Sequence, residues 1–194
     1  PAREALLRDL AEMRELIGSL LEGERLAAGS EALHREPLDP DALVRALVAE
    51  QFAGLPLELS LHAGPGPFAL DAVRLRLLLR NLLDNARRHG AAATEPAFLG
   101  TALDGDALVI TVRDRGPGLP AQALSRLGEP FYRPDAARPR ATGGVGLGLY
   151  LCRLVAEAHG GSIAFADAGP GLMVTVRLPA PPAPAAVDGP PVPG

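Results

Sequence analysis

Apolar residues recur along this chain at two spacings, and each spacing names a kind of element. From residue 3 to 28 the spacing is helical: Leu6, Leu10, Met13, Ile17 and Leu20 stand four and three apart, with Arg and Glu filling the positions between. A helix with one narrow stripe needs partner helices to cover it. A bundle or dimer seam is therefore the expectation here, with packing on its own domain as the alternative. Gly29-Ser30 breaks this pattern and Glu36-Pro37-Leu38-Asp39-Pro40 resets it. Asp39 before Pro40 is an N-cap and N1 pair that starts a helix through Leu43, Leu47 and Val48. Leu57, Leu59 and Leu61 then alternate with polar residues, which predicts a half-buried strand over 57–62. Gly64-Pro65-Gly66-Pro67 is a turn, a short strand follows around Phe68–Leu70, and Asp71 caps a helix over 72–89.

The apolar face of that helix is Leu75, Leu78, Leu79, Leu82 and Ala86. Further strands are expected near 97–103, 107–113, 162–167 and 172–178, the last two joined by Gly169-Pro170-Gly171. A second amphipathic helix carries Leu147, Tyr150, Leu151, Leu154, Val155 and Ala158. Residues 115–143 are rich in Pro, Gly and Arg and show little period, which is expected of a lid or a disordered loop. From Pro179 onward seven of sixteen residues are proline, so 179–194 reads as an unstructured tail. The predicted class is α+β: a two-layer α/β sandwich with a mixed sheet covered by helices on one face, preceded by a long bundle helix. Its divisions are 1–30 for the bundle helix, 31–178 for the main domain and 179–194 for the tail.

Composition narrows the function. The hydrophobic fraction of 47% over 194 residues supports a real core. A net charge of −4 and a pI near 5.6 argue against a nucleic-acid surface, which would be basic. The single cysteine, Cys152, lies on the apolar side of its helix and reads as a core thiol. No internal disulfide framework is possible, which fits a reducing compartment. No apolar run reaches the roughly 18–20 residues that span a bilayer, and no signal peptide is visible. The chain begins at Pro1, inside a helical pattern, and is expected to be part of something longer.

Two glycine clusters carry the chemistry. Gly143-Gly144-Val145-Gly146-Leu147-Gly148-Leu149 runs straight into the second amphipathic helix, so backbone N–H groups at the positive end of a helix dipole are offered to an anion such as phosphate. Asp114-Arg115-Gly116-Pro117-Gly118 puts a carboxylate at a strand end before a turn that lets a ligand approach closely. On the helix between them, Asn81, Asn85 and Arg88 are four and seven apart. At about 100° per residue they point nearly the same way, off the apolar stripe. Amide oxygens suit a hard cation and a guanidinium suits phosphate oxygens, so this edge can hold a metal–triphosphate group.

Four stretches in order and spacing resemble the boxes of bacterial sensor histidine kinases. Asn81-Leu-Leu-Asp-Asn85-Ala-Arg-Arg88-His89 is similar to the N box, Asp114-Arg-Gly116-Pro-Gly118 to the G1 box, Glu129-Pro-Phe131-Tyr132-Arg133 to the F box and Gly144-Val-Gly146-Leu-Gly148-Leu to the G2 box. The resemblance covers roughly 36–178 and implies the ATP-binding fold shared with gyrase and MutL. It implies that Asp114 accepts a hydrogen bond from the adenine amino group and that Asn81 coordinates Mg²⁺ with support from Asn85. Arg88 would contact phosphate, and Gly144, Gly146 and Gly148 would let backbone N–H groups reach the β- and γ-phosphates beside Leu147. Gly116 and Gly118 would shape the base pocket. Residues 115–143 would be the ATP lid, with Phe131 anchoring it to the core and Arg133 available to the phosphates. His89, where the family usually has an aromatic, would stack near the adenine. Residues 1–30 resemble the second helix of the dimerisation and phosphotransfer bundle.

This resemblance sets the expected function. The chain would be the catalytic ATP-binding domain of a two-component kinase, passing the γ-phosphate of ATP to a histidine on a bundle helix it lacks. None of His34, His62, His89 and His159 sits in the expected context, a histidine followed by an acid on a bundle helix. A response-regulator receiver domain would take the phosphate onward. The full-length protein would be a homodimer through the bundle, its kinase part cytoplasmic and the whole anchored in the inner membrane. Asn81 stands where ATP-hydrolysing relatives carry a Glu, and an amide cannot be the base that activates water, which disfavours hydrolysis. The rival from another class is a non-catalytic ATP-sensing or scaffold module. Four intact boxes count against it.

Overall fold

The computed structural model describes residues 3, 13, 17–18, 20–26, 33–66, 68–90, 93–134 and 146–180. Helical residues 20–26 (α1) lead to β1 (Glu36–Pro37), α2 (Pro40–Gln51), β2 (Leu57–His62), β3 (Ala69–Leu70), α3 (Ala72–His89), β4 (Ala97–Asp104) and β5 (Ala107–Arg113). A four-residue helix α4 (Ala121–Leu124), then α5 (Gly148–Ala158), β6 (Ser162–Asp167) and β7 (Leu172–Pro179) complete the order.

Local chemistry accounts for where the helices start. The Asp39 carboxylate accepts from the N–H groups of Asp41 and Ala42 at 3.0 and 3.1 Å, with Pro40 at the first helical position of α2. Asp71 does the same for α3 through Arg74 N at 3.0 Å, and Arg87, Arg88 and His89 complement the dipole in the last turn of α3.

Five strands form one mixed sheet in the order β2-β4-β5-β7-β6. The β2–β4 pair is parallel, as a crossover through α3 requires, and the other pairs are antiparallel. Alternation works as expected in the central strands: Leu108, Ile110 and Val112 of β5 and Leu172, Val174, Val176 and Leu178 of β7 are buried. Against them lie the stripe of α3 (Leu75, Leu78, Leu79, Leu82, Ala86) and Leu151, Cys152 and Val155 of α5. Each fully buried leucine contributes about 1.5–3 kcal/mol relative to exposure. The class is the expected one, α+β with helices on one face of a mixed sheet.

The structure also departs from the sequence reading. β3 lies in the short strand expected around Phe68–Leu70, but its partner β1, in a two-residue antiparallel ribbon extended by Leu38 N donating to Phe68 O at 3.1 Å, lies in a stretch read only as a reset between helices. The α4 turn lies inside the segment read as aperiodic, because four residues cannot display a period. β7 runs through Pro179, and Ala180 N still donates to Asp106 O at 3.0 Å, so order extends slightly past the expected start of the tail. The rest of that tail lies outside the described residues, as does most of the 3–28 helix. Of its stripe, Met13, Ile17 and Leu20 are exposed, whereas Leu26 is buried and Gly23 lies against Tyr150, Leu151 and Leu154 of α5. An ion pair joins Glu22 to Arg74 in the first turn of α3. The end of α1 thus packs on its own domain, while Met13, Ile17 and Leu20 face outward. Among the described residues no helix is long and apolar enough to cross a membrane.

Candidate nucleotide-binding site

Helices α3 and α5 flank a cleft of about 1060 Å³, the size of a pocket for a small organic ligand. One end is built around Asp114, which follows β5 and is 4% exposed. Its Oδ1 accepts from Gly116 N at 2.9 Å and from Leu172 N at 3.1 Å, while its own N–H donates to Leu172 O at 3.0 Å. Glycine is required around it. A Cβ on Gly171, whose φ is +99°, would stand 2.1 Å from Asp114 O. One on Gly116 would stand 2.7 Å from His89 O. The turn after Asp114 is thereby pressed between the end of α3 and the β6–β7 hairpin, at an approach that only glycine allows.

At the other end, Asn81 Nδ2 donates back to Leu77 O at 2.9 Å. This bond fixes the amide and leaves Oδ1 as a carbonyl acceptor. A Cβ on Gly148 would lie 3.1 Å from that oxygen, so Asn81 faces the first turn of α5. The start of α5 has Leu147 as its buried N-cap residue and no side-chain cap, so among the described residues its leading N–H groups have no side chain to satisfy them. Asn85, Arg88, His89 and Arg133 line the same cleft. Among the described residues neither Arg88 nor Arg133 forms an ion pair, whereas Arg74, Arg76 and Arg87 of α3 are paired with Glu22, Glu50 and Asp84. The structure brings together Asn81, Asn85, Arg88, His89, Asp114, Gly118, Arg133, Gly146, Leu147 and Gly148; Gly116 buttresses Asp114, and Gly144 lies outside the described residues.

Phe131 does not anchor the loop to the core. It is 58% exposed, with a left-handed φ of +63°, and its N–H donates to Gly146 O at 3.1 Å. Gly146, at φ +77°, passes so close that a Cβ would meet Phe131 C at 2.8 Å. That crossing turns the chain so that Tyr132, not Phe131, packs on the core. Arg126 stacks over the Tyr132 ring at 4.2 Å and bonds Glu129 at 2.9 Å; the Glu129 hydrogen bond raises its pKa. From α5, Arg153 donates to Leu127 O at 2.7 Å. The roles of Tyr132, Arg126 and Arg153 were missed because a tyrosine beside a phenylalanine, an arginine in an arginine-rich stretch and a lone arginine on an amphipathic helix carry no distinguishing signal in sequence.

Two other groups are settled. Burial pushes the Cys152 thiol well above its ordinary range, consistent with an inert core residue. His159 is buried: its Nε2 accepts from Asp71 N at 3.2 Å, so Nδ1 carries the hydrogen toward Val155 O at 2.8 Å. Desolvation lowers its pKa, and it holds α5 to the cap of α3.

Comparison with known proteins agrees with this geometry. Residues 70–182 match the family model described as histidine kinase-, DNA gyrase B- and HSP90-like ATPase. The chain is 34% identical over 191 residues to the signal transduction histidine-protein kinase AfsQ2 of Streptomyces coelicolor, covering 96% of this chain and 34% of that protein. It resembles full-length ShkA in complex with AMPPNP with a TM-score of 0.74 and 26% identity, over 90% of this chain and 37% of that one. The histidine kinase AdeS of Acinetobacter baumannii shares the fold, with a TM-score of 0.71 over 91% of this chain and 82% of that one at 21% identity. The chain spans about a third or less of the length of the curated relatives it matches.

Proposed function

Because the chain belongs to the family of histidine kinase-, DNA gyrase B- and HSP90-like ATPases and carries a sensor-kinase ATP-binding catalytic domain, we propose that in the whole protein it donates the γ-phosphate of Mg²⁺-ATP to a histidine on a separate bundle helix. The observation that carries this reading is the two-ended cleft. Asp114 is buried with Oδ1 already committed, which leaves Oδ2 for the adenine amino group. The fixed amide of Asn81 and the uncapped start of α5 stand at the other end. The AMPPNP in the ShkA complex supports triphosphate binding in such a fold.

The donor set fits a hard cation. Asn81 Oδ1, freed by the Nδ2 bond to Leu77 O, and the Asn85 amide oxygen would hold Mg²⁺. When bound, the ion neutralises charge on the phosphate oxygens and orients them. The protein's own part is positioning and charge. Arg88 and Arg133 take phosphate oxygens, N–H groups at the start of α5 bind the β- and γ-phosphates, and His89 stacks near the base. An acceptor imidazole nitrogen forms the new N–P bond as the β–γ bridging bond breaks, and ADP leaves with the displaced electron pair. Asn81 supplies no base for water, which favours transfer over hydrolysis. The phosphate passes to a response-regulator receiver domain. In the full-length protein the exposed Met13, Ile17 and Leu20 join the bundle of a homodimer whose kinase part is cytoplasmic and whose remainder is anchored in the inner membrane.

Titration of Mg²⁺-ATP into the chain tests this reading. The wild type binds saturably, Asp114→Ala weakens binding about tenfold to a hundredfold, and Asn81→Ala removes the Mg²⁺ dependence. A folded wild type that does not bind ATP refutes it.

A further inference from the structure

Asp114 owes half of its fixed geometry to a turn more than fifty residues away. One donor to its Oδ1, Gly116 N, comes from the following turn, but the other, Leu172 N, comes from the start of β7. The turn preceding β7 is closed by Ala168 N donating to Gly171 O at 2.9 Å, and Gly171 presses on the main chain of Asp114. Gly118 abuts Gly171 from the other side, with an added Cβ 3.7 Å from its N and O. The wall behind the carboxylate is therefore only as firm as this turn.

Among the described residues two side chains bond this turn: Asp167 Oδ1 accepts from Gly169 N at 3.3 Å at its start, and one side chain reaches it from another strand. Arg113, the residue before Asp114, points to the opposite face of β5, and its Nη2 donates to Ala168 O at 2.8 Å and to Pro170 O at 3.2 Å. Its Nε is buried without a partner, a cost borne by a group committed to those two carbonyls. Adjacent residues thus grip the hairpin from both sides: Asp114 through Leu172, and Arg113 through Ala168 and Pro170. We infer that Arg113 is a positioning residue for adenine recognition, clamping the 168–171 turn so that Leu172 N holds the Asp114 carboxylate in one orientation. This rests on the reading that Asp114 receives the adenine amino group.

Adenine recognition has a signature that general stability lacks. ITP carries a carbonyl oxygen where ATP carries the amino group, so a fixed acceptor at Asp114 favours ATP over ITP. Loosening the carboxylate erodes that preference while leaving triphosphate binding in place. The experiment measures Kd for Mg²⁺-ATP and Mg²⁺-ITP with wild type, Asp114→Ala, Arg113→Ala, Arg113→Lys and Arg177→Ala. Arg177 pairs with Asp104 toward the far end of β7 and serves as the control arginine.

Arg113→Ala is expected to weaken ATP about tenfold, the lower end of what loss of an outer supporting group costs at metal sites, with ITP unchanged. Lysine, which can reach one carbonyl at a time, gives a smaller loss, and it provides the reading if the alanine variant does not fold. Arg177→Ala moves neither ligand. Equal weakening of ATP and ITP by the Arg113 variants, or no change in either, overturns the inference. If Asp114→Ala itself leaves the ATP:ITP preference intact, the adenine reading fails first, and the inference falls with it.

Discussion

The two ends of the cleft are built on opposite principles. Around Asp114 the protein has already made its bonds: one carboxylate oxygen is fixed by two N–H groups, and glycines bring three segments within contact of one another. Around Asn81 it has left bonds unmade. The start of α5 has no side-chain cap, and Arg88 and Arg133 have no acidic partners among the described residues. A base is neutral and is recognised by shape and a few placed hydrogen bonds, so its end must be rigid beforehand. A triphosphate is highly charged and supplies its own partners, so its end needs unspent donors more than a finished shape. The contrast teaches that specificity and charge neutralisation have been assigned to separate parts of one fold.

The largest effect is expected from breaking the finished end. Gly171→Ala forces a Cβ into Asp114 O at a left-handed backbone position, and it should destabilise the domain by about 2–4 kcal/mol in chemical denaturation, through strain and steric clash together. A loss below about 0.5 kcal/mol would mean that this wall is soft. At the open end, Arg88→Ala should leave stability unchanged and weaken Mg²⁺-ATP about threefold to tenfold at low salt, the loss shrinking as ionic strength rises. Titrations at two salt concentrations check this, and a salt-independent loss would place Arg88 in a desolvated contact instead.

The smallest effect lies at the junction that joins α3 to α5. The fold holds His159 neutral, with its pKa below the ordinary value, because Nε2 must accept from Asp71 N. The unfolded chain therefore binds a proton that the folded one refuses. Stability is complete above about pH 6.5 and is lost as pH falls below it toward the depressed folded value, at no more than about 1.4 kcal/mol per pH unit. Denaturation midpoints between pH 7.5 and 5.5 should fall in the wild type and fall less in His159→Gln. Equal slopes would remove His159 from the account.

Much of this was legible in the chain itself. Alternation located β2, the strands β4, β5, β6 and β7 lie within a residue of where they were expected, and the capping aspartates 39 and 71 marked two helix starts. The glycine clusters and the Asn81–Asn85–Arg88 edge pointed to both ends of the cleft, since their spacing alone puts them on one helix face or in one turn. What escaped the sequence depends on contacts between distant segments. β1 is two residues long, too short to show a pattern, and is extended only by pairing with β3. The choice of Tyr132 over Phe131 as the core-facing aromatic is made by Gly146 crossing behind residue 131. Arg113 is an ordinary alternating residue of β5 until the 168–171 turn folds over it.

The most direct test of the division between the two ends is to offer the nucleotide in halves. Amide NMR spectra would be followed during titration with adenosine alone and, separately, with Mg²⁺-tripolyphosphate alone. The account predicts that adenosine shifts the amides of Asp114, Gly116 and Leu172, that tripolyphosphate shifts those of Gly148, Leu149 and Tyr150, and that the two sets barely overlap. Adenosine shifts centred on the start of α5, or tripolyphosphate shifts centred on Asp114, would contradict it.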